Sequence, residues 1–249
     1  MDPTGKKTAS EYFGGMADAY DSLIRRAVPR YAEMTARLVD YLPPRAERVL
    51  ELGSGTGNLT LELARRYPGA RLTTVEASPE MIAVARARLE AAHPEEASRA
   101  TFVTSRFEDL TLEPASFDLA ASCISLHHVR DKGALFRALH AALAPGGAFR
   151  FADQLRGGTG AIHDVNWARW LEFCRAPGGC SEDEVRSLLD HAAAHDHYAP
   201  LDEHFRLLEE AGFSSLDCVW RNWIWGIVTA EKVRSRGGAL RSRERSTPR

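Results

Sequence analysis

The densest chemistry in the chain lies in nine residues, Val49-Leu50-Glu51-Leu52-Gly53-Ser54-Gly55-Thr56-Gly57. An apolar stretch carrying the carboxylate Glu51 runs into glycines at alternate positions. Glycine reaches positive φ without strain and has no Cβ, so backbone N–H groups can approach a ligand closely. A helix starting after the turn adds free N–H groups that suit a carboxylate. Three glycine-turn chemistries compete here. A phosphate loop needs Gly-Lys-Ser/Thr after the turn, and no Lys stands there. A dinucleotide fingerprint is G-x-G-x-x-G, and Asn58 occupies the place of its third Gly. The pattern present is G-x-G-x-G behind an acidic residue.

Other residues of chemical interest follow. Glu76 ends the next apolar stretch, where a carboxylate can accept both hydroxyls of a ribose. Ser122-Cys123-Ile124-Ser125-Leu126-His127-His128-Val129 puts a paired His beyond a strand, where ligands of open α/β sheets sit. Either His127 or His128 can act as base there, or both can order the loop by hydrogen bonding. His191 and His195 lie at i, i+4 with His197 nearby, but no acidic or Cys ligand has a matching position, so no metal is expected. Cys123, Cys174, Cys180 and Cys218 show no C-x-x-C spacing and read as reduced thiols.

These groups need elements to position them. Arg48 to Leu52 reads as a first strand. Leu59, Leu63 and Tyr67 then mark one helix face. Leu72 to Glu76 is a second strand, and Ser78-Pro79 starts the helix of Met81, Ile82, Ala85 and Leu89. Phe102-Val103, Phe117 to Ser122 and Ala148 to Ala152 are strands three to five. The helix of Leu135, Leu139 and Leu143 stops at Pro145-Gly146-Gly147. Strands alternating with helices imply a mainly parallel sheet covered on both faces. The rhythm then breaks. Ile162 to Phe173 reads as an aromatic helix, and Ser181-Glu182-Asp183-Glu184 as a capping box. A helix from Leu201 to Ala211 precedes Leu216 to Trp220 and Trp223 to Val228. Those two runs suit a hairpin or a bent strand pair separated by Arg221-Asn222.

Glu51 with the glycine turn resembles motif I of the class I S-adenosylmethionine (SAM)-dependent methyltransferases. Glu76-Ala77-Ser78-Pro79-Glu80-Met81 is similar to that family's acidic loop. Phe117-Asp118-Leu119 matches the start of its fourth strand, and Leu143-Ala144-Pro145-Gly146-Gly147 its turn before strand five. The resemblance implies a Rossmann-like α/β fold, with a mainly parallel seven-stranded sheet, helices on both faces and a helical lid insertion after strand five. It implies SAM as cofactor and S-adenosylhomocysteine as product.

The resemblance also assigns sites. Tyr20, Glu51, Gly53, Ser54, Gly55, Glu76, Ala77, Met81, Arg106, Phe107 and Ser122 would contact the cofactor. Arg106 departs from the family, which often has Asp there to accept from the adenine amino group; Arg has no acceptor. Tyr12-Phe13 and Ala17 to Asp21 are similar to a segment that folds over the cofactor, though a plain amphipathic lead-in helix fits as well. His127 or His128 would serve the acceptor. Asp153, His163, Trp167 and Trp170 would bind it, with Trp167, Trp170 and Cys174 equally readable as a core stripe.

The organisation read this way is one methyltransferase domain over residues 1–233. It comprises an N-terminal lid segment 1–42, a cofactor core 45–153, a helical insertion 161–197, and a final helix and strand pair over 200–230. Residues 234–249 carry six Arg among Gly, Ser, Thr and Pro and read as a disordered basic tail. The chain has 249 residues and a formal net charge of −2, which gives no general pull toward nucleic acid or membrane. No apolar run approaches the roughly 20 residues that span a bilayer. A cytoplasmic monomer or homodimer acting on a small molecule is expected. A carboxy-SAM-type or tRNA-modifying enzyme is the alternative, on a loose likeness around Asp196-His197-Tyr198 and Asp217 to Arg221. A non-catalytic SAM-binding regulator is the alternative of another class.

Overall fold

Strands β1 (Arg48–Leu52), β2 (Arg71–Glu76), β3 (Thr101–Thr104), β4 (Phe117–Cys123), β5 (Leu143–Gln154), β6 (Ser214–Asn222) and β7 (Trp225–Glu231) form one sheet. Its order is β3-β2-β1-β4-β5-β7-β6. The four pairings from β3 to β5 are parallel, and β7 joins β5 and β6 antiparallel. In this computed structural model residues 8–15 and 17–234 are described. The expected tail, apart from Arg234, and the Phe13 side chain lie outside the described residues.

The helices are α1 (Ala9–Gly14), α2 (Ala17–Ala27), α3 (Tyr31–Asp40), α4 (Asn58–Arg66), α5 (Pro79–Ala92), α6 (Pro94–Ala97), α7 (Lys132–Ala142), α8 (Gly160–Arg175), α9 (Glu182–His195) and α10 (Leu201–Glu210). Successive strand residues point to opposite faces, so β1 feeds two cores. Val49 packs with Leu23, Met34, Leu38 and Leu63 from α2, α3 and α4. Leu50 and Leu52 pack with Phe136, Leu139, Phe149 and Phe151 on the other face. The buried β1 side chains leave little tolerance for a shift of register, which would turn each of them to the wrong face.

Two local readings shift. The hairpin turn falls at Trp223-Ile224, because Asn222 already pairs with Trp225. Trp223 takes φ 53°, and Ile224, 1% exposed, gives its carbonyl to Leu155 N at 2.5 Å. β5 also begins earlier than its apolar core indicates. Leu143 pairs with Phe117, and the Pro145-Gly146-Gly147 stretch is held by Gly146 N to Lys232 O and Lys232 N to Gly147 O, each 2.8 Å. Those bonds come from a segment distant in sequence, so local periodicity could not register them.

The chain order reverses between β1 and β4. Crossovers leave in opposite directions there, opening a crevice at the carboxyl ends of these strands. The glycine turn, the end of β2 and the paired His all reach this end.

Candidate functional site

The glycine turn links β1 to α4 and adopts positive φ at Gly53 (72°) and Gly55 (52°). A Cβ on Gly53 would stand 2.3 Å from Ser125 Cβ, so no other residue fits between the two loops. At Gly55 the nearest atom to such a Cβ would be Tyr20 Cε1, 4.0 Å away. Tyr20 therefore lies over the turn while leaving the Gly55 backbone approachable.

Glu76 is pinned by its own turn. Its Oε2 accepts from Gly55 N at 3.1 Å and its Oε1 from Ser78 N at 2.9 Å. Burial raises its pKa, and these N–H donors oppose the rise. Ser78 also caps α5 by accepting from Met81 N, which places Met81 inside the first turn. Glu51 is fully buried; its Oε2 accepts from Thr60 Oγ1 at 2.7 Å, and its Oε1 has no hydrogen-bond partner among the described residues. Burial pushes its carboxyl up to about 8. A buried carboxylate oxygen without a donor is costly unless a ligand donor meets it.

Other assigned residues vary. Phe107 Cζ comes within 3.5 Å of the Gly53 Cβ position, so this ring borders the turn. Arg106 instead points to solvent, its side chain 67% exposed and 3.4 Å from Glu108 Oε2. Ser122 Oγ is buried against Leu52 O and Ser125 Oγ, at 3.0 and 2.7 Å, and ties β4 to β1. Ser54 is buried beside them in the turn, and Ala77 follows Glu76 half-buried.

An element missed in the sequence secures the turn from above. Asp21 of α2 accepts from Thr56 Oγ1 (2.6 Å) and Asn58 Nδ2 (2.9 Å) and pairs with Arg88 Nη1 (2.8 Å). Its signal was an acid next to Tyr20; its partners were not readable from spacing.

Beside the turn is a cavity of about 600 Å³, part of it open to solvent. Apolar side chains of α2, with Val28 and Leu188, make one wall. Tyr20, His127, Gln154, Trp225, Asp196 and Tyr198 also line it. Gln154 Oε1 and Trp225 Nε1 are buried without hydrogen-bond partners among the described residues. The cavity is closed by α8 and α9, which are tied to the N-terminal helices. Trp170 Nε1 donates to Ala27 O at 2.8 Å, and Arg26 makes a two-pronged pair with Glu184 at 2.8 and 2.6 Å. Trp170 is 3% exposed yet borders the cavity, so it is both packing and wall. Trp167 packs edge-on against Trp170 and Tyr198, and the His163 ring lies against Trp167.

At the polar end, His127 Nδ1 and Asp153 Oδ1 are 2.5 Å apart. Asp153 Oδ2 accepts from Leu126 N and His127 N, and its Oδ1 from Gln154 N. Asp153 thus stands behind His127 and fixes that ring. Burial opposes charge on His127, but the Asp153 and Asp196 carboxylates outweigh it and its pKa rises. Burial works against the Asp153 carboxylate too, and His127 brings its pKa down. His128 is lowered by burial and by His127, and burial pulls His191 down to about 3. Sequence reasoning named His127 and Asp153 separately and did not pair them.

Comparison with known proteins gives a consistent picture. The family described as "Methyltransferase domain" matches residues 49–147. The carboxy-S-adenosyl-L-methionine synthase of Chromohalobacter salexigens is 30% identical over 209 residues, covering 78% of this chain and 73% of that protein. The demethylmenaquinone methyltransferase of Thermus thermophilus is 30% identical over 167 residues, covering 65% and 74%. Among solved structures, Haemonchus contortus phosphoethanolamine N-methyltransferase 2 in complex with S-adenosyl-L-methionine superposes with a TM-score of 0.66. Its identity is 18%, with 93% of this chain and 61% of that chain covered.

Proposed function

Because the chain belongs to the class I SAM-dependent methyltransferases, we propose that it methylates an oxygen, nitrogen or carbon nucleophile of a small molecule held in the cavity beside the glycine turn. The cofactor is S-adenosylmethionine, which supplies a methyl group already activated on a sulfonium. The observation that carries the acceptor reading is the position of Tyr20. It lies over Gly55 and also lines the cavity, so the donor turn and the acceptor space share one wall.

The residues fit the donor. Glu51 Oε1 needs a donor, and the amino group of a methionine moiety provides one. Glu76 ends β2 with lone pairs to spare for ribose hydroxyls, Gly53 and Gly55 let the chain approach, and Phe107 and Met81 border the base. Ser54, Ala77 and Ser122 shape the turn around them. Arg106 stands outside this set.

On the acceptor side, the apolar wall excludes water, and Gln154 and Trp225 offer an acceptor and a donor for the substrate's polar edge. Displacement at an activated methyl depends chiefly on holding the nucleophile in line and dry. His127, clamped by Asp153, marks the end where that nucleophile sits, with His128 behind it. Trp170 completes the wall, Trp167 backs Trp170 and Tyr198 from outside the lining, and His163 supports Trp167.

The similarity to carboxy-SAM synthases favours a second reading, in which the ligand carries an extra carboxylate. A cation would then be expected in the cavity wall. Arg221 instead bonds the carbonyls of Trp223 and Arg156, and Arg106 faces solvent. Methyl transfer is therefore preferred.

The test is incubation with methyl-labelled SAM and two acceptor pools, one of apolar small molecules bearing a hydroxyl or amine and one of total tRNA and protein. Label in a low-mass product, reduced at least tenfold by Gln154→Leu, supports the reading. Label confined to the macromolecular pool would overturn it.

A further inference from the structure

Three donor atoms from two separate parts of the chain converge at the polar end of the cavity. His127 Nε2 lies 3.9 Å and His128 Nδ1 3.0 Å from Asp196 Oδ1, and the three atoms lie within 4.8 Å of one another. His191 Nε2, from α9, is 3.8 Å from the same oxygen. We propose that His127, His128 and Asp196 bind a divalent transition-metal ion whose open coordination position, bordered by His191, faces the acceptor cavity.

The spacing fits such an ion. Ligand atoms about 2.0–2.2 Å from a tetrahedral zinc lie about 3.3–3.6 Å from one another. The two separations from Asp196 Oδ1, 3.0 and 3.9 Å, bracket that value, and the third pair lies within 4.8 Å, so binding needs side-chain adjustment but no movement of the backbone elements. Two imidazoles and one carboxylate suit zinc, cobalt, nickel or iron rather than magnesium or calcium, which prefer all-oxygen sets.

The surroundings orient the ligands as metal sites do. A metal-bound His usually gives its other ring N–H to a carboxylate, which fixes the tautomer and directs the free nitrogen at the ion. Asp153 holds His127 Nδ1 in this way and is itself fixed by three backbone N–H groups. Tyr198 OH donates to Asp196 Oδ2, leaving Oδ1 directed at the histidines. The Asp196 side chain is 4% exposed and faces His127, His128 and His191, and among the described residues no Lys or Arg forms an ion pair with it. A buried carboxylate ringed by imidazoles gains more from a dication than from neutral rings.

The consequence for chemistry rests on the proposed methyl transfer; the binding itself does not. An ion with its open position toward the cavity would take an acceptor oxygen, and the hydroxyl proton would leave to water as that oxygen binds. The acceptor class this favours is a phenol or enol, whose anion then attacks the methyl carbon.

The test uses full-length, untagged protein stripped with a chelator. Zn²⁺ titrated by calorimetry should bind at one equivalent, and Co²⁺ should give the visible absorption of a site of low coordination number. His128→Ala and Asp196→Asn should each weaken Zn²⁺ at least 100-fold. Asp153→Asn keeps every ligand and should weaken it by about 10–100-fold. His195→Ala, a neighbour outside the set, should leave it unchanged. SAM affinity measured on each variant separates loss of the metal site from loss of the fold. Failure of stripped wild-type protein to bind one equivalent, or binding that survives in folded His128→Ala and Asp196→Asn, would overturn the site. Zn²⁺ binding without methyl transfer to any small acceptor would leave the site standing and defeat the acceptor reading.

Discussion

Asp21 and Thr56 are joined by a 2.6 Å hydrogen bond from the Thr56 hydroxyl to the Asp21 carboxylate, which clamps α2 onto the glycine turn. The same carboxylate holds Asn58 and Arg88, so one side chain ties α2, the start of α4 and α5 together. Asp21→Ala should lower stability by only about 1 kcal/mol, because the Asp21–Arg88 pair is partly exposed. SAM affinity should fall about tenfold, since Tyr20 next to it would no longer be held over Gly55. Calorimetry and thermal unfolding on one preparation check both; a large stability loss with intact SAM affinity would contradict the clamp.

Glu51 gives a pH signature. Its folded pKa of about 8 exceeds the unfolded carboxyl value, so the folded, ligand-free protein holds a proton there at neutral pH. The sign for folding follows: between the unfolded value and about 8 the native state binds more protons, so this group's contribution to stability declines as pH rises through that window. For binding the sign reverses. A cationic ligand favours the ionised carboxyl, so SAM binding near pH 7 should release a proton, and affinity should climb with pH and level off above about 8. Titrations in buffers of different ionisation enthalpy detect the proton; Glu51→Gln should abolish both the release and the climb.

Glu76→Ala should weaken SAM binding by about 1–3 kcal/mol, because a charged acceptor is lost from the end of β2. It also frees Gly55 N and Ser78 N, which loosens the turn. Glu76→Gln keeps one acceptor oxygen and should recover part of the loss. Unchanged affinity in Glu76→Ala by calorimetry would reject the role.

The β1-to-α4 turn and the β2 carboxylate were legible because a strand, three glycines and two acids lie in short, ordered segments. So were the capping box of α9 and the hairpin of β6 and β7. Asp21, the His127–Asp153 pair and the approach of Asp196 to His127 and His128 were not. They join residues 26 to 69 positions apart, and only the tertiary fold brings them together. His191 was read against His195 on its own helix, whereas its Nε2 faces Asp196. Arg106 was assigned by its place in a motif, and nothing local showed that its side chain leaves the turn for Glu108.

Trp170 separates packing from function. Its burial and its bond to Ala27 O predict that Trp170→Ala costs about 3–5 kcal/mol, seen as a large fall in melting temperature. Trp170→Phe keeps most of the ring and loses the N–H. It should fold, bind SAM within a few-fold of wild type, and lose turnover as the wall between α2 and α8 slackens. Normal turnover in a folded Trp170→Phe protein would show that α8 is packing alone.

The most direct measurement is a crystal structure of the protein with SAM bound. The account predicts the sulfonium methyl directed past Tyr20 into the cavity of His127, Gln154 and Trp225, with the amino group on Glu51 and the ribose on Glu76. A methyl group directed away from that cavity, or SAM held without Glu51 and Glu76, would contradict it.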